Sequence, residues 1–154
     1  MPAHPNPNVA ALEHAYARWS ETKGGSADEV LALLDEQVEM RSVLSEEMPS
    51  EIAGSHLSRD RAADYFAGLA RDWEMLYFDV YQFIADGDDV VMVGRCAWRN
   101  RETGTEVDTP KVDIWHFENG RITRFMELFD SLAFARAVGR CEERERAGRR
   151  PGDP

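Results

Sequence analysis

The tightest constraint on this chain lies in residues 76–129, where four long stretches of strand character are divided by three short glycine-bearing turns. Leu76 to Ala85 and Val90 to Arg101 flank Asp86-Gly87-Asp88-Asp89. Thr103-Gly104 turns the chain again, Thr105 to Glu118 leads to Asn119-Gly120, and Arg121 to Phe129 follows. Asx-Gly pairs supply the positive φ angles of tight hairpin turns. Connections this short join antiparallel neighbours, because a parallel return needs a crossover of roughly a dozen residues or more. The second half therefore reads as an antiparallel meander.

Helices precede it. Asn8 is placed to cap the first, whose apolar stripe is Val9, Leu12, Tyr16 and Trp19. Lys23-Gly24-Gly25 breaks it, and Ser26-Ala27-Asp28-Glu29 has the pattern of a capping box for a second. Val38 to Leu44 reads as a short first strand. Ser58 opens a third helix with Ala62, Phe66, Leu69 and Trp73 inward, and Ser131 to Val138 is a short last helix. Helices followed by a meander define an α+β class, with helices packed on one sheet face. A curved sheet around those helices makes a cone with a pocket.

The chain has 154 residues, which favours one domain. Residues 9–138 carry the pattern. Residues 1–8, with three prolines, read as a flexible arm, and residues 139–154, with five arginines against four acids, as a flexible polar tail. The net charge of −11 argues against nucleic acid and against a polybasic membrane anchor. No apolar run reaches the roughly 18 residues of a spanning helix. Cys96 and Cys141 form no disulfide framework, and no secretory signal is visible, so a cytoplasmic protein is expected. His4, His14, His56 and His116 lack metal-ligand spacing, so no metal and no cofactor is expected.

Strand alternation sorts the candidates for chemistry. Lys111, Asp113, Trp115 and Phe117 share a face. Among apolar neighbours, burial raises the pKa of the Asp113 carboxyl and favours a neutral acid able to donate to a carbonyl or enolate oxygen. The alternative is an Asp113 paired with Arg95 or Lys111. Arg95, mid-strand among valines, needs an acidic partner, and Asp130 and Asp113 are the candidates. Tyr16 on the inward helix stripe needs a hydrogen-bond partner for its phenol. The expected pocket walls are Trp19, Met40, Ser42, Phe66, Val93, Trp115 and Leu128. The alternate positions Met92, Cys96, Trp98, Ile114, Phe125 and Phe129 are expected on the outer face. Left bare, that row exceeds the apolar patch a monomer tolerates, which implies a homodimer.

Ala32-Leu33-Leu34-Asp35, Thr109-Pro110-Lys111-Val112-Asp113-Ile114-Trp115-His116-Phe117, Asn119-Gly120-Arg121-Ile122 and Glu127-Leu128-Phe129-Asp130, in this element order, resemble the NTF2-like cone fold. That superfamily includes ketosteroid isomerase, SnoaL-type polyketide cyclases and limonene epoxide hydrolase. The resemblance implies that Tyr16 and Asp113 correspond to the oxyanion-binding Tyr and protonated Asp of ketosteroid isomerase. The isomerase's general base falls on Ser42. It further implies that Arg95 and Asp130 correspond to two members of the epoxide hydrolase's Asp-Arg-Asp set, whose third falls on Ala97. Its water-positioning residues fall on Met40 and Ser42. The implied activity is cofactor-independent proton transfer on a small, largely apolar carbonyl compound by an isomerase or cyclase. Tyr16 and Asp113 would hold the enolate oxygen, and Asp130, set by Arg95, would move the proton. The implied ligand is small and apolar or polycyclic. The alternatives are a ligand-binding or dimerisation domain without catalysis, and epoxide ring opening.

Overall fold

A computed structural model describes residues 5–140. The first four residues of the expected arm and the tail from residue 141 lie outside them. The elements run α1 (Pro7–Glu21), α2 (Ala27–Leu31), β1 (Leu34–Ser42), β2 (Ser55–His56), α3 (Arg59–Asp72), β3 (Trp73–Asp86), β4 (Asp89–Asn100), β5 (Glu106–Glu118), β6 (Arg121–Leu128) and α4 (Ser131–Ala137). The strands form one curved, unclosed six-stranded sheet in the order β2-β1-β6-β5-β4-β3. The α+β class and the NTF2-like cone stand. The sheet is antiparallel as expected except for β1, which runs parallel to β6.

Local chemistry sets the helices that carry the site. Asn6, not Asn8, caps α1: its side-chain oxygen accepts from the amides of Asn8 and Val9, and Pro7 occupies the first turn, where an amide would be unpaired anyway. Val9, Leu12, Ala15, Tyr16 and Trp19 are buried, so α1 turns one aromatic stripe to the sheet. The helix ends where Lys23 and Gly24 take positive φ angles of 52° and 82°. The Gly24 amide bonds Trp19 O and the Lys23 amide bonds Ser20 O, the paired arrangement that closes many helix C-termini. The expected capping box does not form. The Ser26 hydroxyl has no hydrogen-bond partner among the described residues, and Glu29 instead reaches Arg18 across to α1. Ser58 does cap α3, accepting from the Arg61 amide.

Register decides which side chains face the helices. Asp113 is paired with Met92 on β4 and with Glu127 on β6, so those three share the concave face. On β4 Val90, Met92, Gly94 and Cys96 are therefore buried against the helices, with Trp98 following, and of the odd-numbered set only Ala97 is buried. On β6 a register shift beside His116/Phe117 turns Phe125 and Glu127 inward after Ile122. Of the residues expected on the outer face, Met92, Cys96 and Phe125 are in the core and the half-buried Trp98 and Phe129 pack against it. Of that set only Ile114 faces outward, 40% exposed.

Candidate functional site

A cavity of about 100 Å³ sits between α1, α3 and the concave sheet face. Trp19, Phe66, Phe78, Trp98, Phe125 and Phe134 supply much of its wall. Its polar groups arrive from four elements: Tyr16 from α1, Tyr65 from α3, Lys111 and Asp113 from β5, and Glu127 from β6.

These groups form one continuous chain of contacts. Trp115 Nε1 donates to the Tyr16 oxygen at 2.8 Å, and the Tyr16 hydroxyl donates to Asp113 Oδ2 at 2.5 Å. Asp113 Oδ1 lies 3.0 Å from Lys111 Nζ, an ion-pair contact. Lys111 Nζ donates to Glu127 Oε2 at 2.7 Å, and the Tyr65 hydroxyl donates to the same oxygen at 2.7 Å. The Lys111 ammonium also lies 5.2 Å from the Phe129 ring centroid, within cation–π range. Glu127 Oε1 is buried with no hydrogen-bond partner among the described residues.

The electrostatics follow from burial and from two acids sharing one ammonium. Burial raises the Asp113 carboxyl above its ordinary value; the Lys111 charge and the Tyr16 hydrogen bond oppose this without reversing it, and Glu127 adds to it. Burial drives the Tyr16 phenol well above 10.0, reinforced by Asp113, and drives Tyr65 likewise, reinforced by Glu127. For Lys111, burial acts to lower the value, but Asp113 and Glu127 outweigh it and hold the ammonium charged. Burial pushes the neighbouring Cys96 thiol up to about 11, so it sits there as an unreactive wall group.

The structure brings together some of the residues singled out from sequence and separates others. Tyr16, Asp113, Trp19, Phe66 and Trp115 line the cavity. Arg95 does not. It lies on the outer face, where Nε is 2.8 Å from Asp108 Oδ1, a carboxylate that also accepts from Tyr77. Its acidic partner is thus neither Asp113 nor Asp130. Asp130 is exposed and caps α4, accepting from the Ala133 amide. Val93 and Leu128 fall on the outer face because the register of β4 and β6 is one residue off the expected phase. Met40 is buried but packs beside Phe125 and His56 outside the cavity wall, and the Ser42 hydroxyl accepts from the Leu44 amide. The carboxylate that does enter is Glu127, together with Lys111 and Tyr65. Tyr65 was legible as a member of the α3 stripe between Ala62 and Leu69. Glu127 was not, because its face depends on the β6 register shift. Among the described residues no group of three or more His, Cys, Asp or Glu is arranged to hold a metal.

The fold is an α+β cone with an aromatic cavity and a buried acid–phenol chain in its wall. The chain belongs to the SnoaL-like domain family, whose model matches residues 12–125. No curated protein sequence matches it. Among solved structures it is similar to TerC co-crystallised with polyporic acid, at 24% identity over 87% of this chain and 99% of that one, with a TM-score of 0.72. It is similar to an NTF2-like protein of unknown function from Burkholderia pseudomallei K96243, at 22% identity over 86% and 98% of the two chains, with a TM-score of 0.72. A third is a protein from Jannaschia sp. CCS1 provisionally assigned as a SnoaL-like polyketide cyclase, at 18% identity over 92% and 97%, with a TM-score of 0.67. At these identities the likeness is one of fold.

Proposed function

We propose that this protein is a cofactor-independent acid–base enzyme, an isomerase or cyclase, acting in the cytoplasm on a small, largely apolar carbonyl compound. The observation that carries this reading is the buried 2.5 Å hydrogen bond between Tyr16 and Asp113 in the wall of an aromatic cavity. A carboxyl raised by burial and held against a phenol is a donor set suited to an oxygen that gains charge during reaction. In this reading the substrate oxygen inserts at the Tyr16–Asp113 contact, taking the phenol hydrogen bond that Asp113 Oδ2 accepts in the structure and a second one from the protonated Asp113 carboxyl. Glu127 replaces Asp130 as the proton carrier: Lys111 and Tyr65 hold its Oε2, which leaves Oε1 uncommitted for the proton. Epoxide opening around Arg95 and Asp130 loses its support, since neither side chain lines the cavity. As it stands the cavity suits a single ring rather than a polycyclic ligand, because drug-sized pockets run to about 300 Å³ or more.

A ligand-binding domain without turnover is the second reading, favoured by the Lys111–Asp113 ion pair and by a serine, Ser42, on strand one. A homodimer through the outer face belongs to either reading. The face would present Val93, Val112, Ile114, Met126 and Leu128, and light scattering at micromolar concentration tests it.

Proton exchange separates the two readings. 2-Cyclohexenone in D2O, followed by NMR, reports removal of its γ- and α-protons without knowledge of the natural substrate. Accelerated exchange that Glu127→Gln abolishes while ligand still binds supports catalysis. Asp113→Leu should weaken binding by about 1–3 kcal/mol, whereas Asp113→Asn, whose amide still donates, should retain most of it. Binding with no accelerated exchange by the parent protein would leave the binding domain as the function.

A further inference from the structure

A second concavity, of about 490 Å³, lies outside the first, between α1 and β3. Glu13, Ala17 and Ser20 form one side of it, and Asp79, Tyr81 and Phe83 the other. Two residues, Tyr16 and Phe78, line both this groove and the inner cavity. The partition is thus one layer of aromatic ring: Tyr16 and Phe78 stand 5.7 Å apart between centroids, and Tyr16 and Phe83 5.8 Å.

The two halves of the partition are held differently. Tyr16 is tied by hydrogen bonds to Asp113 and Trp115. The Phe78 side chain has no polar atom to tie. It sits on a stretch of β3 bracketed by two register shifts against β4, between Met75 and Tyr77 and between Val80 and Gln82. Tyr81 is the residue the second shift leaves without a β4 partner, and it is 64% exposed. The Ser20 hydroxyl donates to the Phe78 carbonyl at 2.9 Å, so the backbone is pinned to α1 and the Phe78 ring alone is the part of this wall without a polar tie, while Tyr16 stays on Asp113.

We propose that the α1–β3 groove is an outer subsite of the same ligand site, reached past Phe78. It takes a neutral or cationic aromatic arm borne by a single-ring carbonyl or enol head in the inner cavity. The proposal rests on the reading of that cavity as the ligand site. Size supports it, since 100 Å³ leaves no room for an arm inside. Chemistry supports it as well: Phe83 and the exposed Tyr81 offer ring surface, and the Glu13 carboxylate disfavours an anion there.

Three probes titrated by NMR test it: phenol as a mimic of an enol head, 4-phenylphenol, and 4′-hydroxybiphenyl-4-carboxylate. We expect 4-phenylphenol to bind roughly tenfold or more tighter than phenol, from the extra ring buried. The carboxylate should fall below 4-phenylphenol and recover in Glu13→Gln. Tyr81→Ser should bring 4-phenylphenol towards phenol and leave phenol unchanged. Asp113→Leu should weaken all three. If 4-phenylphenol binds no better than phenol, or Tyr81→Ser alters neither or both alike, the outer subsite is wrong and the inner site stands. If no probe binds, or binding ignores Asp113→Leu, the inner-cavity reading fails and takes the subsite with it.

Discussion

Asp113 and Glu127 are direct cross-strand partners on the buried face of the sheet, 3% and 2% exposed. Two acids in that relation repel. What makes it tenable is Lys111, two residues before Asp113 on the same face, whose ammonium touches both carboxylates. Trp115, two residues after, fixes the phenol that touches the first acid. Period-two spacing on one strand thus assembles cation, acid and indole in a row.

Removing that cation should be costly. Lys111→Met is expected to destabilise the fold by about 3–5 kcal/mol, because it leaves buried charge uncompensated. Lys111→Met combined with Glu127→Gln should recover a large part of the loss. Urea denaturation of the single and double variants checks this. Additive losses would mean that the ammonium's role lies elsewhere.

Stability should also depend on pH through Asp113. Its carboxyl is raised in the folded state above the ordinary 3.8. Between those two values the folded chain keeps a proton that the unfolded chain has released. The stability Asp113 contributes is therefore whole below the ordinary value and is lost as pH rises through the folded one. Unfolding free energy of the parent should fall relative to Asp113→Asn over that window and then run level. Curves that stay parallel, or that slope the other way, would show Lys111 prevailing over burial.

Gly94 leaves room for the β3 backbone, with Val80 its partner across the strands. A β-carbon there would stand 2.2 Å from the Asp79 carbonyl oxygen, a backbone atom with little freedom to retreat. Gly94→Ala should cost about 1–3 kcal/mol and lower the melting temperature, with chemical shifts moving along β3 near Phe78. An unchanged melting temperature would indicate that β3 stands further off.

Arg95 and Asp130 supply the control. Arg95→Ala should leave probe affinity unchanged, since its bridge to Asp108 is on the outer face. Asp130→Asn should be nearly silent, because asparagine caps a helix as well as aspartate does, whereas Asp130→Ala should cost about 1 kcal/mol. Loss of exchange activity in Asp130→Asn would contradict Glu127 as the proton carrier.

The order of elements and the pairing of β5 were legible because turn chemistry and period-two alternation are local. The face of β4 was also open to arithmetic. The loop between Asn100 and Thr105 has four residues, so odd positions on β5 must meet even positions on β4, which puts Met92 rather than Arg95 beside the acid. β6 differs. Counting back from the Asn119-Gly120 turn pairs Phe117 with Ile122 and carries Leu128 inward. A single register shift then exchanges the faces. No residue type in Arg121–Leu128 announces that shift, so Glu127 entered the site unseen. The parallel pairing of β1 with β6 joins segments distant in sequence, which alternation within either one cannot report.

That pairing has a consequence for how the protein is made. β1 meets β6 through contacts such as Met40 with Phe125, and the chain between Ser42 and Leu128 must be synthesised first. At roughly 5–20 residues per second this delay is on the order of ten seconds. During it Val38 and Met40, which end up 0% and 2% exposed, are without their parallel partner on a nascent chain. The last meander strand to emerge is the one that brings Glu127 and covers that edge. Translation therefore completes the charged cluster and covers the free edge of β1 in one event, and a ribosome stalled before residue 121 would hold a chain with neither.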